Sequence, residues 1–575
     1  MILRKVVPLT LLAMIASAPL VFAIQKTNVS VTRIGTKNLS EVARQNSAVS
    51  RLANRRPFAK PELRKPIVPA AATAVRPNTS SLVAPILPIT GNVAGFLGFD
   101  ALDSTDSAVA GAGIGEPPDQ GLAVSGTQEV EAINTIMSVY SPTGKRLLAP
   151  VSLYDFFSVP LNDSAGNEFI LSDPRVYFDT ATNRWFITIL RFVVNPKTGQ
   201  LVPHTGSTVL LGVSTARDAK SDYNQYEIDV SDAGHTNCPC LGDQPLMGAN
   251  QDGLFLEVNE YSTTTGHFVT AQVIALHKKA LANGSTTVGA VGFDDLVQDG
   301  GPGFSVQPAI AAPGQSTAAN NGTEYFVSSL DFNGTVDNRL TVWAMTNTRT
   351  LSNASPNVGF KHKLINVTTY AQPPAATQKN GTRPLGSSLG EGLEKLETND
   401  DRLQQVYFAN GKLYTALTTA ILSSSTGSPR AGIAYFILSP SATSTSVSAS
   451  VAKQGYIAVS QHVMFPSFAI SNGGSGVIGF SLSGPSYFPS TAYVTVSGTS
   501  IGGSVHLAGA GKAPEDGFSG YAAFGGDGVA RWGDYSAAAI SPGGQVWFAA
   551  EYIPDPNVRP RTQFTNWGTF ISRVK

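Results

Sequence analysis

Five aspartates recur at a similar place in a repeated phrase: Asp119, Asp173, Asp243, Asp401 and Asp534 each stand just before or at the start of a short apolar run. Carboxylates gathered at one place repel and raise one another's pKa unless a cation or an arginine offsets them. A shared location would therefore suit a hard cation such as Ca2+, held by oxygen ligands. Arg175, Arg402 and Arg531 lie beside three of the five and offer the other means of compensation. Asp173, Arg175, Arg402, Arg531, Asp534 and Tyr535 are also of types that take part in hydrolytic chemistry. The plainer reading is that each aspartate caps a turn by accepting backbone amides.

Other chemistry finds little support. The stretch "GGSGVIG" around Ser475 reads as a hairpin loop and not as the strand-to-helix elbow of a serine hydrolase. The seven histidines include no i, i+4 pair, which excludes the helical zinc-protease motif, and His462 reads as a packed strand-end residue. Cys238 and Cys240, the two cysteines of the chain, can close a small ring or remain thiols; a metal site there would need a further ligand such as His235. Trp185, Trp532, Trp547 and Trp567 fall in or beside apolar runs and read as packing residues before sugar-stacking ones.

The elements that must position these residues are strands. Beyond residue 90 the chain is built of short runs such as "RWFITILRF", "LFLEVNEY", "KLYTALTTAIL" and "QVWFAAEYI", separated by Gly, Asn, Asp and Pro. Helical periodicity is nearly absent; "VIALHKKALA" from Val273 reads as a short helix or a strand with a helical end, its His277, Lys278 and Lys279 as a solvated turn.

One pattern recurs seven times: a small polar entry, a strand, a tight turn and an aromatic-rich strand. The copies begin at Pro118, Ser172, Gly242, Val306, Asn399, Phe465 and Gly533. Their spacing of roughly 55 to 95 residues suits four-stranded antiparallel units with variable outer loops. A single core is implausible for so long a body, whereas radial repetition lets each unit bury its faces on two neighbours. The expected fold is all-β: a β-propeller of about seven four-stranded blades, with tandem β-sandwiches as the rival. If the first strand of each copy is innermost, the five aspartates ring one mouth of a central channel.

Residues 1–23 carry Arg4 and Lys5, an apolar stretch and small residues near Ala23, which predicts a cleaved signal peptide and a secreted or periplasmic location. Residues 24–90 are basic and Pro/Ala-rich and are expected to form a disordered arm; residues 91–575 form the propeller domain. The first 90 residues hold 13 Lys or Arg against Glu41 and Glu62, leaving 27 basic against 38 acidic residues in the body. An acidic body argues against nucleic acid as partner and favours cations or neutral ligands. No later apolar run is long enough to span a bilayer.

The phrases "CPCLGDQPLMGANQDGLFLEVNEY", "NDDRLQQVYFANGKLYTALT" and "RWGDYSAAAISPGGQVWFAAEYI" followed by "NWGTFISRV" resemble secreted bacterial β-propeller proteins, loosely related to sialidase or BNR-repeat propellers, over about residues 115–575. The Asp-box turn of sialidases, Ser-x-Asp-x-Gly-x-Thr-Trp, has no clean copy here. The leading expectation is a monomeric binding scaffold for a carbohydrate, peptide or cell-surface ligand. The alternative is a sialidase-like carbohydrate-active hydrolase or lyase using the aspartates and arginines at the channel mouth; the resemblance implies three arginines gripping a substrate carboxylate, a tyrosine nucleophile with a glutamate partner and an aspartate acid, for which Arg175, Arg402, Arg531, Tyr535 and Asp534 are the candidates.

Overall fold

Alternation of apolar and polar residues, punctuated by glycine turns, folds the chain into antiparallel meanders. The computed structural model describes residues 24–46, 63, 82–113, 115–298, 301–315, 317–330, 336–423 and 427–575. The signal-peptide reading of residues 1–23 lies outside them.

Among the described residues there are seven meanders of four strands, each pairing in order with the next. Their first strands are Gly121–Val124, Glu168–Asp179, Cys240–Ala249, Gln307–Ala311, Leu403–Ala409, His462–Ile470 and Ala537–Ile540. Each first strand lies against the first strand of the next meander, and the seventh lies against the first. Between the third, fourth and fifth meanders this contact is parallel backbone pairing, which sets the entry ends of those strands side by side.

The core is distributed between meanders. One apolar cluster around Trp185 and Phe156 joins the first to the second. A cluster with Leu211 and Leu256 joins the second to the third, one with Phe255 and Trp343 the third to the fourth, and one with Val342 and Phe436 the fourth to the fifth. A larger one around Phe468, Phe480 and Phe548 joins the fifth, sixth and seventh. Trp547, Tyr140, Leu122 and Ala101 then close the seventh onto the first. All four tryptophans singled out from the sequence are buried.

The seventh meander takes its fourth strand from far upstream. Leu97–Asp103 pairs antiparallel with Gly568–Val574, so the start of the domain completes its end. Segments of the expected disordered arm are ordered in the same manner. Val31–Asn38 adds a fifth strand to the second meander, Gln25–Thr27 a fifth to the third, and Ile89–Thr90 extends the sixth. Leu39–Asn46 forms a helix that buries Leu39 and Val42 against the first two meanders. The arm is too polar to make its own core, but an existing sheet edge supplies the backbone partners that a lone strand lacks.

The seam tolerates no extra atoms at Gly98, where a Cβ would lie 2.3 Å from the Phe570 ring. Gly98→Val is expected to lower the unfolding free energy by about 1–3 kcal/mol in urea denaturation. Gly91→Val, whose Cβ would meet nothing within 4 Å, serves as control and should leave it unchanged.

Candidate functional site

Three of the five aspartates come together. Asp119 and Asp534, from the entries of the first and seventh meanders, and Asp173, inside the first strand of the second, place carboxylate oxygens within 4.8 Å of one another. Asp119 and Asp173 are buried and Asp534 is half-buried. Asp119 is tied on both oxygens: Oδ1 accepts from the Asp534 amide at 2.5 Å and Oδ2 from Asn134 Nδ2 at 2.7 Å. Asn134 also accepts from the Asp173 amide at 2.8 Å, so one side chain spans two of the three. Burial, followed by the Asp534 and Asp173 charges, holds the Asp119 carboxyl well above the usual carboxylate range, against the opposing pull of the Asp534 amide and Arg531.

Local backbone shape aims Asp173 within its strand. Asp173 has φ of 58°, and Gln244 and Phe465 have 49° and 57° at the equivalent place; each precedes a proline within the first strand. Register shifts accompany all three. Proline withdraws a ladder donor and the left-handed residue beside it forms a bulge that re-aims its side chain.

The arginines are already engaged. Arg531 lies between Asp534 and Glu397, 3.2 Å from each. Arg175 stacks 3.4 Å over the Tyr535 ring and donates from Nε to the Pro245 carbonyl. Tyr535 is buried, and its hydroxyl donates to the Pro174 carbonyl at 3.1 Å. Burial pushes its phenol far up, so Tyr535 has no exposed, ionisable oxygen for the nucleophile's role considered from the sequence.

Arg402 binds Asp400 through two bonds of 2.7 Å and not the adjacent Asp401; it also reaches Gln244 and lies over the Phe304 ring. This buried group sits between the third and fifth meanders, and the charge of Asp243 acts on it. Asp243 and Asp401 are buried but are not members of the carboxylate trio. Arg175, Arg402 and Arg531 thus do not form one free grip.

Several buried groups were not singled out from the sequence. Glu131, Glu257 and Glu551 stand at the middle or end of second strands and accept from entry-loop or seam amides: Leu102 at 3.1 Å, Val306 at 2.8 Å and Gly533 at 2.7 Å. A glutamate embedded in "VEAI", "FLEV" or "AAEY" is the signal that marks them. Lys278, expected in a solvated turn, is buried against Asp179 at 2.7 Å. The segment is a strand, Phe268–His277, with a helical end, Lys278–Ala282. That ion pair borders a cavity of about 330 Å³ lined by Leu122, Val176, Ile310, Tyr407 and Ala538 of the first strands. His462 accepts from the Ala431 amide at 3.2 Å and is pulled down to about 4 by burial. Ser475 opens the strand Ser475–Gly484 after a glycine turn. Cys238 and Cys240 form a disulfide.

No family model matches the chain, and no curated protein does. Among solved structures, the Trypanosoma rangeli sialidase aligns at 11% identity and a TM-score of 0.33, over 72% of this chain and 57% of its own. A phage phi92 endosialidase aligns at 11% and 0.29, over 80% and 66%. An N10 neuraminidase-like protein of a bat influenza A virus aligns at 9% and 0.31, over 70% and 98%. The chain therefore spans under two thirds of the first two, and likenesses of this strength transfer no activity.

Two outcomes follow from the buried charges. Burial pushes Glu257 from 4.5 up to about 8, against the Val306 amide and Arg402. Below about 4.5 both folded and unfolded chains hold this proton; between 4.5 and 8 only the folded chain keeps it, so stability falls as pH rises through that window. Glu257→Gln should flatten the fall between pH 5 and 8 by on the order of 1 kcal/mol per pH unit in urea titrations; parallel curves would refute the assignment. Lys278→Met strands Asp179 in the interior and is expected to cost about 3–5 kcal/mol in the same measurement.

Proposed function

We propose that the seven meanders are the blades of one seven-bladed β-propeller. We propose further that the protein is an exported binding scaffold whose acidic mouth takes a neutral polyhydroxyl ligand of the carbohydrate class. The cyclic order of the first strands and the apolar clusters between successive meanders support the propeller. Among the described residues no helix is long and apolar enough to cross a membrane.

The observation that carries the functional reading is the trio of Asp119, Asp173 and Asp534, with Arg531 paired to Asp534 and Glu397 and Arg175 stacked on Tyr535. Asp534, the half-buried member, is the carboxylate placed to accept hydrogen bonds from ligand hydroxyl groups, and carboxylate charge there repels anions, so an acidic sugar is disfavoured. A second reading rests on Asp119: a carboxyl held above the usual carboxylate range by burial and beside two others has the electrostatic setting of a general acid with a carboxylate partner. This would make the mouth hydrolytic.

Both readings are tested by one series on the whole chain: a neutral-oligosaccharide panel followed by calorimetry and reducing-sugar release, with Asp173→Asn alongside. The scaffold reading expects binding without turnover and a loss of roughly tenfold or more in affinity for the variant. Sugar release by the native chain that the variant loses would establish the hydrolytic reading instead, and no binding to any neutral glycan would overturn both.

A further inference from the structure

A second carboxylate cluster lies at the third meander and shares no residue with the trio of Asp119, Asp173 and Asp534. Asp232 sits on the loop entering that meander, Glu260 in its second strand Gly253–Ser262, and Asp294 at the end of its fourth, Ala290–Asp294. Their carboxylate oxygens lie within 4.8 Å of one another. We propose that Asp232, Glu260 and Asp294 bind a divalent cation of the calcium class.

The second observation is the state of Glu260. Its side chain is fully buried, at 0% exposure, and neither carboxylate oxygen accepts from a donor outside the cluster; only the Asp232 carboxyl lies within hydrogen-bond reach. Asp294 Oδ1 and Asp232 Oδ2 are likewise buried without a donor from outside the cluster. Interior carboxylates lacking donors are costly, and they persist when a cation or shared protons compensate them.

The nearby His235 compensates the cluster only in part: its charge favours the ionised forms of Asp232 and Asp294, but its own hydrogen bonds go elsewhere. His235 Nε2 lies 3.1 Å from Asp295 Oδ1 and its Nδ1 2.8 Å from the Thr236 carbonyl, so both ring nitrogens are engaged outside the trio. Asp295 also accepts from Gln25 Nε2 at 2.8 Å.

Donor chemistry selects the ion. Cys238 lies close to Asp232 and His235, but its sulfur is bonded to Cys240 and offers no thiolate. What remains is a set of carboxylate oxygens, which suits a hard cation and not zinc or copper. Asp232 is half-buried and its loop neighbours Ala233 and Gly234 are exposed, which leaves a route for the ion from solvent. The site is independent of the mouth trio, which belongs to other meanders.

The test is thermal unfolding and calorimetry on the whole chain, stripped with EDTA and then titrated with CaCl2. A bound ion raises the melting temperature in proportion to the logarithm of its concentration above Kd. The native chain is expected to gain several degrees, Glu260→Gln to lose the gain, and Asp173→Asn at the mouth to retain it. Should Glu260→Gln fail to fold, Asp232→Asn on the half-buried loop is expected to weaken Ca2+ binding roughly tenfold or more. No heat and no thermal shift in the native chain would overturn the proposal and leave the cluster as a proton-sharing one. A response lost in Asp173→Asn but kept in the Asp232 and Glu260 variants would overturn it by placing the ion at the mouth.

Discussion

The pairing of Leu97–Asp103 with Gly568–Val574 is the interaction on which the rest of the structure depends. A four-stranded antiparallel unit has two faces to bury, and it does so here on the meanders before and after it. The first and last meanders would each lack a neighbour if the chain did not return to its start. Asp100 and Asp103 anchor the returning strand: Arg559 lies 2.5 Å from Asp103 and 3.6 Å from Asp100, and the Tyr552 hydroxyl donates to Asp100 at 2.5 Å. Arg559 also donates to the Ala101 carbonyl at 2.8 Å. Backbone pairing, ion pairs and the Trp547 cluster therefore act on the same seven residues.

The carboxylate trio is a consequence of that return. Asp119 precedes the first meander and Asp534 precedes the seventh, 415 positions later, yet the amide of one donates to the carboxylate of the other. No local sequence preference can bring them together; the seam does. The glutamates of the second strands work in the same spirit over shorter distances, since Glu131 accepts from the seam strand itself at Leu102 and Glu551 from the loop that carries Asp534. Buried carboxyls of this kind add little net stability because desolvation offsets the bonds they make. What they add is position: Glu257 and Glu551 fix entry loops at Val306 and Gly533, and Glu131 fixes the seam strand at Leu102.

Much of this was legible before coordinates, and the reason is periodicity. Each of the seven recurring phrases holds the first two strands of a meander, because an inner hairpin buried on both faces demands a run of Val, Ile, Phe and Tyr and a tight turn between. The tryptophans, His462 and the hairpin at Ser475 were legible for similar local reasons. The order of Val31–Asn38 was not, since an edge strand borrows its stability from the sheet it joins. Nor was the partner of Arg402: Asp400 and Asp401 are adjacent and chemically alike, and only the direction of each side chain in the folded loop chooses Asp400. Lys278 looked solvated because two lysines in succession usually are; Asp179, 99 residues away, is what draws it inward.

Native-state hydrogen exchange of the amides in Leu97–Asp103 tests the account most directly. If the return strand closes the molecule, those amides exchange only through global unfolding, at the same free energy as the amides of Val546–Tyr552 in the seventh meander. Fast, independent exchange of Leu97–Asp103 while Val546–Tyr552 stays protected would show that the ends are not joined, and the carboxylate trio assembled across that seam would be contradicted.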